Sequence, residues 1–407
     1  MPKRVGYIYQ RMEDPAFIRR CIRIGTRESK KKKRKDVRKV LVNTDLYIER
    51  MQSIVRERSF KPETPRKKTI YDPSSQKWRD TFRVSFWEDG LMHIMVCQAM
   101  MDVLMRGMSP WSCSSVPNRG GKRIHKRLRH AMQDRPKQSA YASEADVKSY
   151  YDSIPLDRLM SALERKVKDK EFLLLVAICI TCEQITLREA LDRGLSWRDI
   201  TRGRVGLYIG LYIDQWLANF YLEPLDRMLL AHPGVKFTTR HMDNIVATGP
   251  NKKLLHAAMR ETARLLQTLE LRLKGDWQVY RTTFTRKAQR RRLTMTDRQR
   301  QLRHPRMVAA VGYRFGHSYI TMRKRNFLRF TRQCRRVQKK LDSGQPISYN
   351  QATALLSRIG QLKHCDSHNV RVKYVDPIGV RNLKEVVRYE GKRRLAAQRR
   401  LYAGGAA

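Results

Sequence analysis

Apolar residues recur every three to four positions over long stretches of the chain, which is the spacing of one helix face. This spacing predicts helices at 44–58, 122–133, 155–168, 170–182, 323–341 and 350–363. In the first of them, Leu46, Ile48 and Met51 are the expected apolar contacts. A Met-rich apolar run at 90–108 predicts a further, buried helix.

Strands are indicated where β-branched and aromatic residues cluster between turn residues. Two patches of this kind lie at 69–71 and 81–84. At 235–249, two β-prone runs flank a Met-Asp-Asn centre, and Gly249 ends the second run. This arrangement predicts a hairpin with Asp243 at its turn.

The charge of the chain is strongly positive. It has 86 Lys and Arg residues against 38 Asp and Glu, a formal net charge of +48. Hydrophobic residues make up 41% of the chain, enough for a sizeable core, which argues against global disorder. Nucleic acid is the expected partner, because phosphates bind Lys and Arg with release of counterions.

Basic residues are concentrated in three segments, at 29–39, 281–306 and 323–341. A basic run is either a solvated loop or an arm that grips phosphates, and the overall charge favours the arm at 29–39. The block at 281–306 is expected to be a loop or insertion that touches nucleic acid.

Neither a membrane segment nor a disulfide framework is indicated. The N-terminus lacks the apolar run of a signal peptide, and the longest apolar stretch, 172–180, is far shorter than the ~20 residues that span a bilayer. We therefore expect a cytoplasmic protein whose seven cysteines are reduced. Cys179 and Cys182 form a lone Cys-x-x-Cys pair, for which buried thiols are the simpler interpretation and zinc or redox use the alternative.

Two strand-like segments carry a carboxylate. One is 141–154, with Asp146, and the other is 235–249, with Asp243. A carboxylate at a tight turn is usually only a turn residue. As a pair on rigid elements, two aspartates suit phosphoryl transfer by two Mg²⁺ ions ~4 Å apart. The sequence alone cannot place them together, because 97 residues separate them.

Several segments in register resemble the motifs of a reverse transcriptase. The segments 141–154, 206–226 and 235–249 resemble palm motifs A, B and C, in the right order. Further matches are the fingers motif at 115–125, motif D at 269–280, the motif E primer grip at 311–315 and the start of a basic thumb at 321–326. The resemblance implies an α+β right-hand polymerase with fingers, a palm built on a small antiparallel sheet, and a short helical thumb.

The resemblance also implies a division of the chain. Residues 1–60 are expected to form a basic N-terminal extension and 61–140 the fingers. The palm is expected at 141–315, with part of the fingers between motifs A and B and a basic insertion at 281–306. The thumb and C-terminal tail follow at 316–407.

Among bacterial enzymes, the chain most resembles the reverse transcriptases of diversity-generating retroelements. Those enzymes have Ile before the second Gly of motif B, where most reverse transcriptases have Gln, and this chain has Ile209. Three positions depart from the pattern. Asn244 stands where motif C usually has a second Asp, Tyr208 where Pro is usual, and Asp214 where Ser is usual. Asn244 keeps an oxygen but loses a charge, and drift, loss of activity and deliberate substitution all stay open.

The resemblance assigns roles to individual residues. Asp146, the Val147 carbonyl, Asp243 and Asn244 would hold two Mg²⁺ ions, with Mn²⁺ as a possible substitute. Lys274 would donate to the leaving pyrophosphate; the alternative is a solvated lysine. The residues expected to bind nucleotide are Tyr151, Ile209, Gly210, Arg79 and Arg83. Those expected to bind nucleic acid are Arg119, Lys122, Arg123, Gly312, Tyr313, Arg323, Lys324 and Arg325.

Within the nucleotide site, Tyr151 would exclude a 2′-hydroxyl sterically, although an ordinary aromatic core residue is its alternative. Gly210 would let the backbone approach the template–nucleotide pair, because it carries no side chain. Arg79 and Arg83 would grip the triphosphate.

The implied function is RNA-templated DNA synthesis on a structured RNA, in a bacterial or phage-encoded system. Its partners would be the template and the RNA/DNA hybrid, dNTPs and a small basic accessory protein oligomer, with no membrane. Two alternatives stay open: a defence-associated bacterial reverse transcriptase, and a catalytically weakened RNA-binding scaffold.

Overall fold

The structure, a computed structural model, describes residues 4–28, 31–72, 76–284 and 305–403. Most of the basic block predicted at 281–306 lies outside these residues, as do the first two positions of the basic run at 29–39. None of the helices within the described part of the chain combines the length and the apolar character needed to cross a membrane.

Runs of consecutive helices are separated by short strands along the chain. The helices are α1 (Pro15–Gly25), α2 (Lys35–Val42), α3 (Thr44–Glu57), α4 (Leu91–Ala99), α5 (Met101–Arg106), α6 (Gly121–Arg129), α7 (Leu156–Glu164), α8 (Lys170–Thr181), α9 (Leu187–Asp192), α10 (Trp197–Thr201), α11 (Tyr212–Tyr221), α12 (Glu223–Ala231), α13 (Lys252–Thr268), α14 (Lys324–Asp342), α15 (Tyr349–Gln361), α16 (His368–Tyr374) and α17 (Val380–Ala403). The strands are β1 (Arg66–Asp72), β2 (Lys77–Arg83), β3 (Tyr141–Asp146), β4 (Phe237–His241), β5 (Asn244–Gly249), β6 (Gln278–Arg281), β7 (Val308–Ala310), β8 (Tyr313–Phe315) and β9 (Ile320–Met322).

The strands form three small sheets. Four strands pair in the order β4-β5-β3-β6. The two-residue turn Met242–Asp243 joins β4 to β5, which confirms the hairpin predicted at 235–249. β1 pairs antiparallel with β2, and β7, β8 and β9 form an antiparallel sheet. The combination of many helices with small antiparallel sheets confirms the predicted α+β class. The arrangement of fingers, palm and thumb as a right hand stays a prediction.

The chain divides into two compact units. The first comprises Met1–Arg123, Ala145–Ala247 and Lys253–Gln278, and the second comprises Ile124–Glu144, Thr248–Lys252 and Val279–Ala407. The four-part division expected from the sequence, into extension, fingers, palm and thumb, stays a prediction.

The core of the first unit is built around α8. Every residue from Phe172 to Thr181 is buried, so this helix is apolar on all sides and lies inside the unit. The Asp169 side chain caps its start by accepting the Phe172 amide at 3.0 Å. The helix ends at Cys182, which adopts a left-handed conformation. Cys179 and Cys182 are buried free thiols, which agrees with the simpler interpretation of the pair.

The second unit has its own apolar core. Residues of α14 such as Phe330 and Cys334 pack with Leu355 and Ile359 of α15. α15 begins with a capping box. The Ser348 hydroxyl accepts from the Gln351 amide, and the Gln351 side chain accepts from the Ser348 amide. This helical pair corresponds to the helices predicted at 323–341 and 350–363.

Three expectations need correction. The apolar run at 90–108 forms two helices, because Met100 leaves the helical backbone region at φ −101° and ψ 16°. In α3, Ile48 and Met51 are buried as expected, but Leu46 is exposed. The basic run at 29–39, expected as a loop or an arm, is helical from Lys35, where α2 begins, and its contact with phosphates stays a prediction.

Candidate active site

The two aspartates singled out in the sequence lie next to each other. Asp146 ends β3, and Asp243 occupies the hairpin turn between β4 and β5. The amide of Val147, the next residue after Asp146, donates to the Asp243 carbonyl at 3.3 Å. Since β5 and β3 are neighbours in the sheet, the pairing of these strands closes the gap of 97 residues.

The proximity of the two carboxylates is visible in their electrostatics. Burial, together with the neighbouring Asp146 carboxylate, raises the pKa of Asp243 to about 6. The Asp146 Oδ1 atom is buried and has no hydrogen-bond partner among the described residues. The Asn244 side-chain amide donates to Asp243 Oδ1 at 3.0 Å. Two close carboxylates with a free oxygen form a site that favours a cation.

Lys274 contacts the same pair. Its ammonium forms an ion pair with Asp146 Oδ2, and its amide donates to the Asp146 carbonyl at 2.9 Å. A short antiparallel bridge between Val147 and Leu273 holds this segment beside the end of β3. Lys274 is therefore a partner of the acidic pair and not a freely solvated lysine.

Tyr151, which belongs to motif A, contacts residues of motifs B and C. Its hydroxyl donates to the Met242 sulfur at 3.6 Å, beside the hairpin turn. Its carbonyl accepts the Leu207 amide at 2.9 Å, which ties it to the motif B segment. Burial raises the pKa of Tyr151, so the ring stays neutral. The side chain is only partly buried, at the edge of the acidic pair and not within the core.

The hairpin turn depends on a buried arginine. Arg240, at the end of β4, is only 2% exposed, and its guanidinium donates to both carboxylate oxygens of Asp226, at 2.8 and 2.7 Å. It also donates to the Met242 carbonyl at 2.8 Å. Met242 has φ +57°, a conformation that costs a non-glycine residue about 1–3 kcal/mol. The bond from Arg240 thus holds the strained residue immediately before Asp243.

The Arg240 site joins four separate pieces of chain. Ser112 Oγ accepts from the guanidinium at 3.0 Å, and the Asn219 carbonyl accepts at 3.2 Å. Asn219 lies on α11 and Asp226 on α12. Burial opposes the charge of Arg240, but the Asp226 carboxylate outweighs this effect and raises the pKa of the guanidinium above its usual value.

Sequence reasoning missed this network. An arginine in a strand is usually exposed, so Arg240 gave no signal by itself. A signal was nevertheless present: Arg240 interrupts a β-prone run directly before a carboxylate turn, and Asn219 and Asp226 interrupt two apolar helices.

A second buried carboxyl, Asp214, holds the motif B loop. Its Oδ2 accepts the Tyr208 amide at 2.8 Å, while its Oδ1 is buried without a partner among the described residues. Burial raises the pKa of Asp214 well above its usual value, which favours the protonated form. The departure from Ser at this position therefore supplies a buried acceptor for the loop.

The motif B loop meets the hairpin of β1 and β2. The Phe82 amide donates to the Ile209 carbonyl at 2.7 Å, and the Phe82 and Tyr208 rings are 4.9 Å apart. Gly210 has φ +119°, and a Cβ there would lie 2.6 Å from the Phe82 carbonyl oxygen. The backbone that approaches Gly210 in this structure is therefore that of β2.

Five further residues of the expected site belong to the first unit. Arg79 pairs with Asp72 at 3.3 Å, and the alternation of β2 places Arg79 and Arg83 on the face opposite Phe82. Arg119 donates to the Ser109 carbonyl at 2.8 Å, and Arg123 lies 5.2 Å over the Trp111 ring. Lys122 is exposed near the start of α6. Their roles stay predictions.

The remaining expected residues belong to the second unit. Gly312 is part of the turn between β7 and β8, and its carbonyl accepts the Arg323 amide at 2.9 Å. The Tyr313 hydroxyl donates to the Gln361 carbonyl at 3.0 Å. Lys324 and Arg325 are exposed in the first turn of α14. Gly312 and Tyr313 thus have structural partners, and their contacts with nucleic acid stay predictions.

The chain is similar to a curated protein over about a quarter of its length. No family model matches the chain. A stretch of 112 residues, 27% of the chain, is 32% identical to the "Uncharacterized 91 kDa protein in cob intron" of Schizosaccharomyces pombe and spans 12% of that protein.

Two solved telomerase structures are also similar, each at 10% identity. The telomerase of Candida albicans with a TWJ fragment of telomeric RNA has a TM-score of 0.38, over 70% of this chain and 50% of that one. The apo telomerase of Candida tropicalis, truncated from its C-terminal domain, has a TM-score of 0.37, over 66% and 58%. At this sequence identity and these TM-scores, neither likeness bears on the function of the chain.

The Arg240–Asp226 pair predicts a stability effect. Arg240→Ala should lower the free energy of unfolding by about 3–5 kcal/mol, because it leaves the Asp226 carboxylate buried and unpaired. Replacing both residues together, Arg240→Met with Asp226→Leu, should recover much of this loss. Urea unfolding of the three proteins measures it, and a loss below about 1 kcal/mol in Arg240→Ala would contradict the network.

Asp214 predicts a pH dependence. The pKa of Asp214 is higher in the folded protein than in the unfolded one. Its contribution to stability is therefore complete at a pH below its pKa in the unfolded protein, and is lost as the pH rises towards its pKa in the folded protein. Asp214→Asn keeps the acceptor for Tyr208 without the ionisation. Relative to wild type, the variant should therefore gain up to about 1.4 kcal/mol per pH unit above pH ~4. Urea unfolding from pH 5 to pH 8 tests this, and parallel curves would show that Asp214 does not retain its proton.

Proposed function

We propose that this protein is an RNA-directed DNA polymerase that makes cDNA from a structured RNA by two-metal nucleotidyl transfer. The observation that carries the proposal is the meeting of Asp146 and Asp243 at the end of β3 and the β4–β5 turn. Two carboxylates on rigid strands, in a chain of net charge +48, suit a reaction between polyanions.

The residues present fit a divalent cation. Asp146 has an unpartnered buried oxygen, and Asp243 experiences a repulsion beside it that a cation would relieve. The Val147 carbonyl and the Asn244 side-chain oxygen would complete a set of hard oxygen ligands, which Mg²⁺ prefers and Mn²⁺ also accepts. No group of three or more His, Cys, Asp and Glu side chains placed to hold a metal occurs within the described ranges, so the set depends on the carbonyl and the amide.

A Mg²⁺ ion held by Asp146 and Asp243 would supply Lewis-acid chemistry, which activates an attacking 3′-hydroxyl and neutralises charge on the leaving pyrophosphate. The chain's own residues position the reactants. Asp146 and Asp243 would hold the cation, and Arg240 fixes the turn that carries Asp243. The Lys274 ammonium, which neutralises Asp146 here, is within reach of the same centre and would donate to the pyrophosphate once released from that carboxylate.

Selection of the nucleotide falls to Tyr151 and to the motif B loop. The Tyr151 hydroxyl donates to Met242, the residue before Asp243, and the Tyr151 carbonyl is bonded to the loop. In this position the ring would exclude a ribose 2′-hydroxyl by overlap. Ile209 presents an apolar side chain that is only partly buried. It can pack against a nascent base pair but supplies no hydrogen bond to orient it.

The finer assignment is to a diversity-generating retroelement, with a small basic accessory protein as partner and low-fidelity cDNA as product. Its support is Ile209 in motif B. A catalytically weakened RNA-binding scaffold is the second candidate, and one contact favours it: the Asn244 amide donates to Asp243 instead of adding a carboxylate. A defence-associated polymerase would share the chemistry and differ in its product.

The acidic pair predicts a loss of catalysis. Asp146→Ala and Asp243→Ala should each lower the rate of primer extension on RNA by about a thousandfold or more, since several kcal/mol of transition-state stabilisation are lost and 1.36 kcal/mol is a factor of ten. Primer extension with dNTPs and Mg²⁺ measures the rate. Asp276→Ala, which removes an exposed aspartate, is the matched control and should extend normally.

Two outcomes would overturn this assignment. Full activity in Asp243→Ala would remove the aspartates from the reaction. Wild type without any extension, but with tight RNA binding, would support the scaffold. In that case Asn244→Asp should restore extension if the missing carboxylate is the cause.

Ile209 predicts an effect on fidelity. Ile209→Gln should reduce misincorporation several-fold, because one hydrogen bond of ~1 kcal/mol is gained near the nascent pair. The substitution leaves the hydrogen bond from the Phe82 amide intact, since its acceptor is the main-chain carbonyl of residue 209. Sequencing cDNA from a defined RNA measures the error rate. Errors concentrated at template adenines would support the diversity-generating assignment, and rare or uniform errors would favour the defence role.

A further inference from the structure

The hairpin of β1 and β2, called here the ribbon, has two chemically different faces. Its register pairs Lys67 with Phe82, Thr69 with Asp80 and Tyr71 with Trp78, and directly opposed residues share a face. The ion pair of Lys67 with Asp80, at 2.8 Å, and the bond of Thr69 to Asp80, at 2.6 Å, confirm this assignment. One face therefore carries aromatic residues at both ends.

The outer aromatic pair lies in solvent. Tyr71 and Trp78 have ring centroids 5.3 Å apart, and they are exposed to 45% and 71%. Both strands are exposed along most of their length, so none of the residues that the structure describes forms a layer over this pair. A large apolar pair held in a fixed geometry and left in water is characteristic of a binding surface.

The opposite face of the ribbon is cationic. It carries Arg66, Lys68, Lys77, Arg79 and Arg83, with Asp72 as its one carboxylate. Within the described ranges, Lys68, Lys77 and Arg83 have no carboxylate partner. A ribbon that carries exposed aromatic rings on one face and cations on the other combines the two features that bind unpaired nucleic acid, since cations attract phosphates and rings stack on bases.

The base of the ribbon is bonded to the motif B loop. Phe82, on the aromatic face, contacts Tyr208 through its ring and Ile209 through its backbone. Trp78 is four residues away along β2, about 13 Å at ~3.3 Å per residue. A stacked strand rises ~3.4 Å per nucleotide, so Trp78 lies about four nucleotides from the motif B loop.

We propose that Tyr71 and Trp78 form a stacking platform for unpaired template bases about four nucleotides from the insertion site. The bases of a duplex stack on one another and offer no free face, so a pair of exposed rings fits a single strand. The proposal rests on the proposed polymerase function for its location. The binding surface itself follows from the ribbon alone.

Binding measurements test the surface without any catalysis. The probes are a fluorescein-labelled oligo(U) RNA and a blunt RNA duplex of equal length, titrated in fluorescence anisotropy at several salt concentrations. Trp78→Ala should weaken oligo(U) binding about 5- to 150-fold, the range expected when one base–aromatic stack is removed, without changing the salt slope or duplex affinity. Trp78→Phe should restore most of the affinity.

Matched variants separate stacking from charge. Tyr7→Ala removes an aromatic residue that is 74% exposed and lies outside the ribbon, so it should bind both probes as wild type does. Lys68→Ala with Lys77→Ala should weaken binding to both probes and should reduce the salt slope for oligo(U) by about 0.7 for each phosphate that is no longer neutralised. Unchanged oligo(U) binding in Trp78→Ala, or an equal weakening on the duplex, would overturn the platform.

Primer–template hybrids test the location. With a template overhang of about eight nucleotides, Trp78→Ala should raise the hybrid's Kd, and with an overhang of one nucleotide it should have no effect. An effect that is independent of overhang length would overturn the location. Because these measurements need no extension, inactive wild type with an intact oligo(U) effect would refute the polymerase and leave the platform standing.

Discussion

The ion pair between Arg240 and Asp226 is the constraint on which the acidic site depends. A guanidinium at 2% exposure is stable only if its charge is paired and its donors are satisfied, and here two helices, a loop and the hairpin turn supply the acceptors. This pairing sets the distance of β4 from α11 and α12. It also stabilises Met242 in a strained conformation, which aims the next residue, Asp243, towards the end of β3.

Much of the fold could be predicted because the local signals were unambiguous. α8 is a continuous apolar run between a capping Asp and a left-handed Cys, and the hairpin at 235–249 has β-prone runs on both sides of a short polar turn. The break at Met100 could not be predicted, since neither Gly nor Pro marks it. Individual residues at helix edges, such as Leu46, depend on which neighbours are present, and local pattern does not contain that information.

The candidate site was predictable residue by residue but not as an arrangement. Asp146 and Asp243 stood out by their position after strand-like runs, yet their meeting depends on the order β4-β5-β3, which is a tertiary property. Lys274 joins them because its segment bridges to Val147. Arg240 and Asp214 act from inside the protein, where a polar residue is identified only after its burial is known.

The contact between β2 and the motif B loop has an evolutionary consequence. It is made by main-chain atoms: the Phe82 amide donates to the Ile209 carbonyl, and Gly210, which has no side chain, lets the Phe82 carbonyl approach closely. Main-chain bonds do not depend on the identity of the side chains around them. The side chain at 209 is therefore free to vary without moving β2, whereas position 210 admits only glycine. Selection can therefore change the side chain at 209 while the backbone that presents it stays unchanged.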